Sequence, residues 1–212
     1  MITAIDIALE PDATMIQHAE AANVRLRKVF VFPRGYALDA THRPHITMLQ
    51  RYVRTAEIDK VYTAVGDVLA GEKPAGWTLR AFKYAYVVWD GAGLAGILIE
   101  PTADLIAFQQ KLIDAVAPFT VETGTTAAFF TTPIDPDINQ PTSNYVQHYV
   151  PASSGTKFEP HVTVGVASPD YLNTLVAEPF DAFNFAPAAM SFYQLGNFGT
   201  ARKKLETWQF TP

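Results

Sequence analysis

Two short segments of the chain carry the same pattern, Pro-His-aliphatic-Thr-aliphatic. It reads PHITM from residue 44 and PHVTV from residue 160, and so includes two of only five histidines in 212 residues. Side chains two positions apart on a β-strand point to the same face, so His45 would share a face with Thr47, and His161 with Thr163. The repeated pattern predicts one site that holds two imidazoles and two hydroxyls.

These four groups suit chemistry on a phosphodiester. Displacement of an alkoxide from phosphorus needs a base to take a proton from the nucleophile and an acid to protonate the leaving oxygen. The ordinary pKa of histidine, about 6.5, allows one imidazole to be neutral while the other is protonated. The threonine hydroxyls could donate hydrogen bonds to the non-bridging oxygens. Sequence alone does not say which histidine is the acid, because the two motifs are equivalent.

An internal repeat would place the two motifs in corresponding positions. ALEPDATMIQHAEA from residue 8 resembles LIEPTADLIAFQQK from residue 98, and each follows an apolar segment. The first of these segments, IDIALEP, reads as a buried strand with a polar residue inside it, and an amphipathic helix is predicted over about 14–29. Each copy leads to one motif strand, so the chain looks like a duplication whose halves meet about an approximate two-fold axis.

The other elements follow from local pattern. Helical periodicity predicts helices over 56–71 and 171–180, and aromatic and β-branched content predicts a strand over 77–89 and strand-like segments over 190–210. The stretch 31–44 reads as a loop, GAGLAG from residue 91 as a turn between strands, and ARKK from residue 201 as a solvated turn.

The second half carries an insertion before its motif. His45 follows Glu10 by 35 residues, whereas His161 follows Glu100 by 61. The extra residues fall in 124–157, which are rich in Pro, Thr, Asn and Ser. A segment of this length without evident structure is either a lid or specificity loop or a plain surface excursion.

Composition excludes several classes of protein. A formal net charge of -5 argues against capture of long nucleic acid, which needs a basic face. No apolar run is long enough for a membrane span, and the first residues do not read as a signal peptide, so a cytoplasmic location is expected. The absence of cysteine removes thiol catalysis and thiolate metal sites. No phosphate-binding loop, dinucleotide fingerprint or nucleophile elbow is present, and no clustered acidic residues accompany the histidines as metal ligands.

The two motifs resemble the paired His-hydrophobic-Thr/Ser-hydrophobic signatures of the two-histidine (2H) phosphoesterases, which include 2'-5' RNA ligase-like proteins and cyclic nucleotide phosphodiesterases. The resemblance covers the whole chain in element order. It implies a single α+β domain over 1–212, bilobal and duplicated. Its pseudo-symmetric lobes, approximately 1–90 and 91–212, would each have an antiparallel sheet and flanking helices about a central cleft, and the sheets could exchange strands. It also implies metal-independent chemistry on 2',3'-cyclic or 2'-5' phosphodiesters, without a cofactor, and catalytic roles for His45, Thr47, His161 and Thr163.

Further residues near the motifs are candidates for binding substrate. Arg43, Tyr52 and Lys157 flank the motifs and could contact a phosphate or a base, and Tyr149 in the insertion could stack on a nucleobase. His42 could line the entrance of the cleft. The expected partner is a small phosphorylated nucleotide or an RNA end, bound by a monomer.

Two other hypotheses fit the same residues. The chain could be a non-catalytic module that binds nucleotides or RNA ends and has kept the pocket. It could also be a structural duplication whose motifs only hold strands in place. Turnover, ligand binding and thermal stability of histidine variants discriminate among the three.

Overall fold

The structure, a computed structural model, describes residues 1–29, 35–89, 91–133 and 135–210. The helices in these ranges are α1 (Ala13–Leu26), α2 (Ile58–Gly71), α3 (Ala103–Val116), α4 (Gln140–Ser153) and α5 (Pro169–Ala177). The strands are β1 (Ile2–Pro11), β2 (Ile46–Arg54), β3 (Leu79–Trp89), β4 (Ala92–Ile99), β5 (Thr120–Val121), β6 (His161–Ala167), β7 (Phe183–Phe185), β8 (Pro187–Leu195) and β9 (Ala201–Gln209). None of these helices is long and apolar enough to span a bilayer.

All nine strands belong to one antiparallel sheet. Its order is β7-β3-β4-β6-β2-β1-β8-β9, and the short β5 pairs with β2 outside this path. Together with the five helices this confirms the α+β fold with antiparallel sheets that the resemblance implied.

The two motif strands meet at the centre of the sheet. β2 and β6 pair through a single residue pair, Ile46 with Val162. On one side of this seam lie β1, β8 and β9, and on the other lie β4, β3 and β7. The two halves of the sequence exchange strands. β3 of the first half pairs with β4 of the second, and β8 of the second half pairs with β1 of the first.

The motif strands alternate as their sequences require. Ile46, Met48, Val162 and Val164 are fully buried in the main hydrophobic core, which confirms that they face away from the cleft. Helix α1 packs against β6, and α3 packs against β2. Each motif strand is therefore supported from behind by a helix that comes from the other copy of the repeat.

The repeated Glu-Pro segments end a strand and begin a helix in the same way. Asp12 accepts hydrogen bonds from the backbone N–H groups of Thr14 and Met15, and Thr102 accepts one from the N–H of Leu105. Both residues are N-caps of the kind that short polar side chains favour. The predicted helix at 14–29 is thus α1, which begins at Ala13 and ends at Leu26.

Three local predictions are wrong. GAGLAG is not a turn beyond Gly91, because β4 begins at Ala92 and runs between β3 and β6. Its glycine at 93 serves packing, since a Cβ there would clash with Cδ1 of Leu172. ARKK is the start of β9, paired with β8. The insertion 124–157 contains helix α4 with Pro151 inside it, a residue that hides the helix in the sequence.

The predicted loop at 31–44 lies partly outside the described residues. From residue 35 onward it has no helix or strand, as predicted. Asn23 of α1 holds this segment through its side chain, which donates to the carbonyl of Tyr36 and accepts from the N–H of Leu38. The same amide donates to the carbonyl of Val164 on β6. The segment before the first motif is therefore tied to the strand that carries the second.

Candidate active site

The four motif residues line one cavity. His45 immediately precedes β2 and Thr47 lies on it, whereas His161 and Thr163 both lie on β6. The pairing of Ile46 with Val162 sets the two motifs side by side. The cavity has a volume of about 400 Å³. The structure thus brings together all four residues predicted to be catalytic.

Both imidazoles are oriented by the same backbone contact. The Nδ1–H of His45 donates to the carbonyl of Arg43 at 2.7 Å, and that of His161 donates to the carbonyl of Glu159 at 2.8 Å. With Nδ1 protonated and engaged, Nε2 of each ring is left for other partners. The two rings are thus anchored in the same way.

The two histidines nevertheless differ in their electrostatic surroundings. Nε2 of His45 lies 3.0 Å from Oδ2 of the fully buried Asp6 and 3.2 Å from Oγ1 of Thr47. Burial lowers the pKa of His45, but the charge and hydrogen bond of Asp6 outweigh it, and the pKa is raised. Burial lowers the pKa of His161, and a positive charge on His45 lowers it further.

Asp6 was not predicted as a site residue. The sequence contains a signal, a single carboxylate inside the otherwise apolar strand IDIALEP, which is unusual because a buried charge is unfavourable unless it is paired. The sequence does not show what the carboxylate contacts.

The predicted substrate-binding residues divide into two groups. Arg43 and Lys157 line the cavity, as do His42 and Tyr149, whereas Tyr52 does not. Tyr52 is 1% exposed, packs edge-on against Phe129 in a separate hydrophobic cluster, and donates its hydroxyl hydrogen to a backbone carbonyl. This placement contradicts the predicted substrate contact. Tyr52 is buried in a second hydrophobic cluster, so its side chain does not reach the cavity.

Arg43 is held by a buried carboxylate. Nε of Arg43 lies 3.2 Å from Glu10 Oε2. Glu10 also lies 2.6 Å from Nζ of Lys204 and accepts a hydrogen bond of 2.5 Å from the hydroxyl of Tyr193. Burial raises the pKa of Glu10, but hydrogen bonds, that of Lys204 first, outweigh it and lower the pKa to about 2. The guanidinium group is thus fixed at the wall of the cavity.

The other two predicted contacts have structural partners as well. Nζ of Lys157 donates to the carbonyl of Pro151 at the end of α4. The hydroxyl of Tyr149 donates to the carbonyl of Thr47 at 3.0 Å and accepts from Gln109, so Tyr149 connects α4 and α3 to the first motif. The insertion therefore contributes directly to the wall of the cleft.

Sequence reasoning missed most of the aromatic lining. Tyr36, Tyr86 and Trp89 line the cavity together with Lys83, and the ring of Trp89 lies 5.1 Å from that of Tyr145. Three of these residues belong to β3, whose aromatic content indicates a strand but not the cavity that the strand faces. Within the described ranges, no group of three or more His, Cys, Asp or Glu side chains is arranged to hold a metal ion.

The chain matches no protein-family model and no curated protein sequence. Solved structures are similar over its full length. TT0787 of Thermus thermophilus has a TM-score of 0.58 at 15% identity, with 98% of each chain covered. E. coli LigT complexed with ATP has a TM-score of 0.51 at 13% identity, and a structure described as a phosphoesterase has 0.50 at 14%, each with both chains fully covered. The chain has the fold of these proteins, as the resemblance to the 2H phosphoesterases predicted.

Proposed function

We propose that the chain is a phosphoesterase that opens or transfers 2',3'-cyclic or 2'-5' phosphodiesters of nucleotides or RNA ends. The observation that carries the proposal is the pair of imidazoles in one cavity, each with Nδ1 bonded to the carbonyl two residues earlier and a threonine two residues later. The solved structures of similar fold support phosphoester chemistry, since one is described as a phosphoesterase.

The reaction would use one histidine on each side of the phosphorus. A neutral imidazole takes the proton of the attacking water or hydroxyl as its oxygen bonds to phosphorus, and the protonated imidazole gives its proton to the leaving oxygen. Thr163 donates a hydrogen bond to a non-bridging oxygen, where charge accumulates, and Thr47 does the same once its hydroxyl turns away from Oδ2 of Asp6. The two histidines supply both proton transfers, so the step does not require a metal ion.

The lining of the cavity favours a small nucleotide. Arg43, Lys83 and Lys157 offer positive charge to a phosphate, and Tyr86 and Trp89 offer aromatic faces to a base. A volume of about 400 Å³ lies in the range of small-molecule sites. E. coli LigT of similar fold has been solved with ATP and with NADP+, which supports a nucleotide as the ligand. The net charge of -5 favours a short substrate over a long strand.

The test is turnover of a substrate panel in excess EDTA. The panel contains 2',3'-cyclic nucleotides, 2'-5' linked dinucleotides and ADP-ribose cyclic phosphate. His45→Ala and His161→Ala should each lower kcat about 10²- to 10⁴-fold. His148→Ala is the matched control, because His148 is exposed on α4 and bonds only within its helix among the described residues. It should keep wild-type turnover.

Other outcomes contradict the proposal in different ways. Nucleotide binding without turnover in the wild type would indicate a binding module. Loss of thermal stability in the histidine variants, with neither binding nor turnover in the wild type, would indicate a structural duplication. Turnover that EDTA abolishes would show that the chemistry depends on a metal ion.

A further inference from the structure

Asp6 occupies an unusual place under the first motif. It lies on β1 and is fully buried. Its Oδ2 accepts hydrogen bonds from Oγ1 of Thr47 at 3.2 Å and Nε2 of Gln50 at 3.1 Å, and it lies 3.0 Å from Nε2 of His45. Its Oδ1 is buried and has no hydrogen-bond donor among the residues that the structure describes. A buried carboxylate is very unfavourable without a cationic partner, and His45 is the partner in direct contact.

The contacts of His45 with the carbonyl of Arg43 and with an ionised Asp6 are both satisfied when its two ring nitrogens each carry a hydrogen. The carbonyl of Arg43 can only accept, so Nδ1 of His45 carries a hydrogen. A carboxylate can likewise only accept, so the contact with Asp6 places a second hydrogen on Nε2. These two contacts together fit an imidazolium.

The second motif has no counterpart of this carboxylate. Asp6 pairs with Gln50, three residues beyond Thr47, and the residue that pairs with the corresponding position of β6, Val166, is Leu94. Gly96 pairs with Thr163, and a Cβ placed on it would lie 3.3 Å from Cδ2 of His161. The two copies thus hold a carboxylate at this position of the first motif and the apolar Leu94 at the corresponding position of the second.

Other charged and titratable groups near His45 do not replace Asp6. The groups that face the His45–Asp6 pair are Glu10 on β1, Tyr193 on β8, His161 on β6, and Tyr145 and Tyr149 on α4. Glu10 is engaged by Lys204 and Arg43. Burial raises the pKa of each of the three tyrosines, which keeps them neutral. Asp6 is the only anion among the described residues that touches the ring of His45.

We infer that Asp6 is a positioning residue that keeps His45 doubly protonated, so that His45 is the acid and His161 the base of hydrolysis. The assignment of acid and base rests on the proposed function, whereas the protonation states of the two histidines do not depend on it. In the step, Nε2 of His161 takes a proton from water as the water oxygen bonds to phosphorus. The bond from phosphorus to the leaving oxygen breaks, and that oxygen takes the Nε2 proton of His45, which turns away from Asp6. Solvent then returns the proton from His161 to His45.

The first measurement needs no substrate. The histidine side chains of the wild-type protein are titrated by proton–nitrogen NMR, with His45→Gln and His161→Gln used to assign the signals. His45 should titrate at a higher pH than His161, with hydrogens on both ring nitrogens near neutral pH. Titration of His161 at the higher pH would overturn the inference.

The second measurement compares two carboxylates of one strand. Asp6→Asn keeps the shape of the side chain but removes its charge, and should lower the proton affinity of His45 about tenfold or more, as expected for a charge in contact. Glu10→Gln removes a buried carboxylate of β1 that does not touch His45, and should change the affinity less. Equal changes in both variants, or none in Asp6→Asn, would overturn the inference whether or not the protein turns over any substrate.

The third measurement is the pH dependence of kcat/KM on the substrate that the wild type turns over. The ratio of Asp6→Asn to wild type should fall about tenfold between pH 6 and pH 8, because the variant loses the protonated acid first at high pH. A merely structural role would lower kcat/KM by the same factor at every pH, which would overturn the inference. Absence of turnover in the wild type would contradict the proposed function alone, because the NMR titrations still decide the role of Asp6.

Discussion

Glu10→Gln tests the electrostatics that fix Arg43 at the wall of the cavity. Glu10 is 4% exposed, and its carboxylate contacts Lys204, Arg43 and the hydroxyl of Tyr193. Because the chain folds this carboxylate against two cations, the folded state binds a proton at Glu10 less readily than the unfolded state does. The stability of the protein must then depend on pH through this residue.

The size of the effect follows from the pKa of Glu10, which falls from an ordinary 4.5 to about 2 on folding. Such a fall corresponds to about 3 kcal/mol of stability. Because the folded-state pKa is the lower one, this contribution is complete above pH 4.5 and is lost as the pH falls toward 2. Lys204 and Arg43 are partly exposed and can hydrate, and the Gln amide still accepts from Tyr193. We therefore expect Glu10→Gln to lower the free energy of unfolding by about 2 to 3 kcal/mol at pH 7.

The assay is urea-induced unfolding of wild type and variant at pH 7 and at pH 3, followed by circular dichroism. The difference between the two proteins should shrink at pH 3. Glu100→Gln is the matched control, since Glu100 is its counterpart in the repeat but pairs with Arg80 at the surface, and its effect should stay within about 0.5 kcal/mol. A Glu10→Gln effect below about 0.5 kcal/mol at pH 7, or one equally large at both pH values, would refute this reasoning.

Two further predictions concern the connections behind the motifs. Asn23→Ala removes three hydrogen bonds that tie α1 to Tyr36, Leu38 and Val164, and should lower the free energy of unfolding by about 2 to 4 kcal/mol, measured by urea unfolding. A loss below about 1 kcal/mol would show that water replaces these bonds. Tyr149→Phe leaves the carbonyl of Thr47 without its donor and should reduce stability by about 1 kcal/mol in the same assay, and an unchanged midpoint would contradict this role.

The sequence predicted the centre of the site because that centre depends on local rules. A strand alternates its side chains, so the aliphatic residues of each motif identify the face that His45 and His161 occupy. The repeat then places the second motif in the position of the first. Neither step needs knowledge of contacts between distant residues, and the structure places all four motif residues as predicted.

The surroundings of the site could not be predicted because they depend on contacts between distant segments. Asp6 is 39 residues from His45 in sequence, and only the pairing of β1 with β2 brings them together. The burial of Tyr52 is likewise decided by Phe129, which comes from the insertion. Helix α4 was hidden because Pro151 and a largely polar composition weaken its helical pattern. The local sequence pattern does not identify such distant partners.

The exchange of strands and helices explains why one cavity can serve both motifs. β1 pairs with β8, β3 pairs with β4, α1 supports β6, and α3 supports β2, so each half of the sequence completes the other. Residues 1–90 alone would leave β1 with an open edge and β6 absent, and could form only one wall of the cleft. The two histidines are held at a fixed separation because neither motif strand belongs to an independent unit. A difference between the copies at a single corresponding position, Asp6 on β1 against Leu94 on β4, is then sufficient to give two equivalent imidazoles different protonation states.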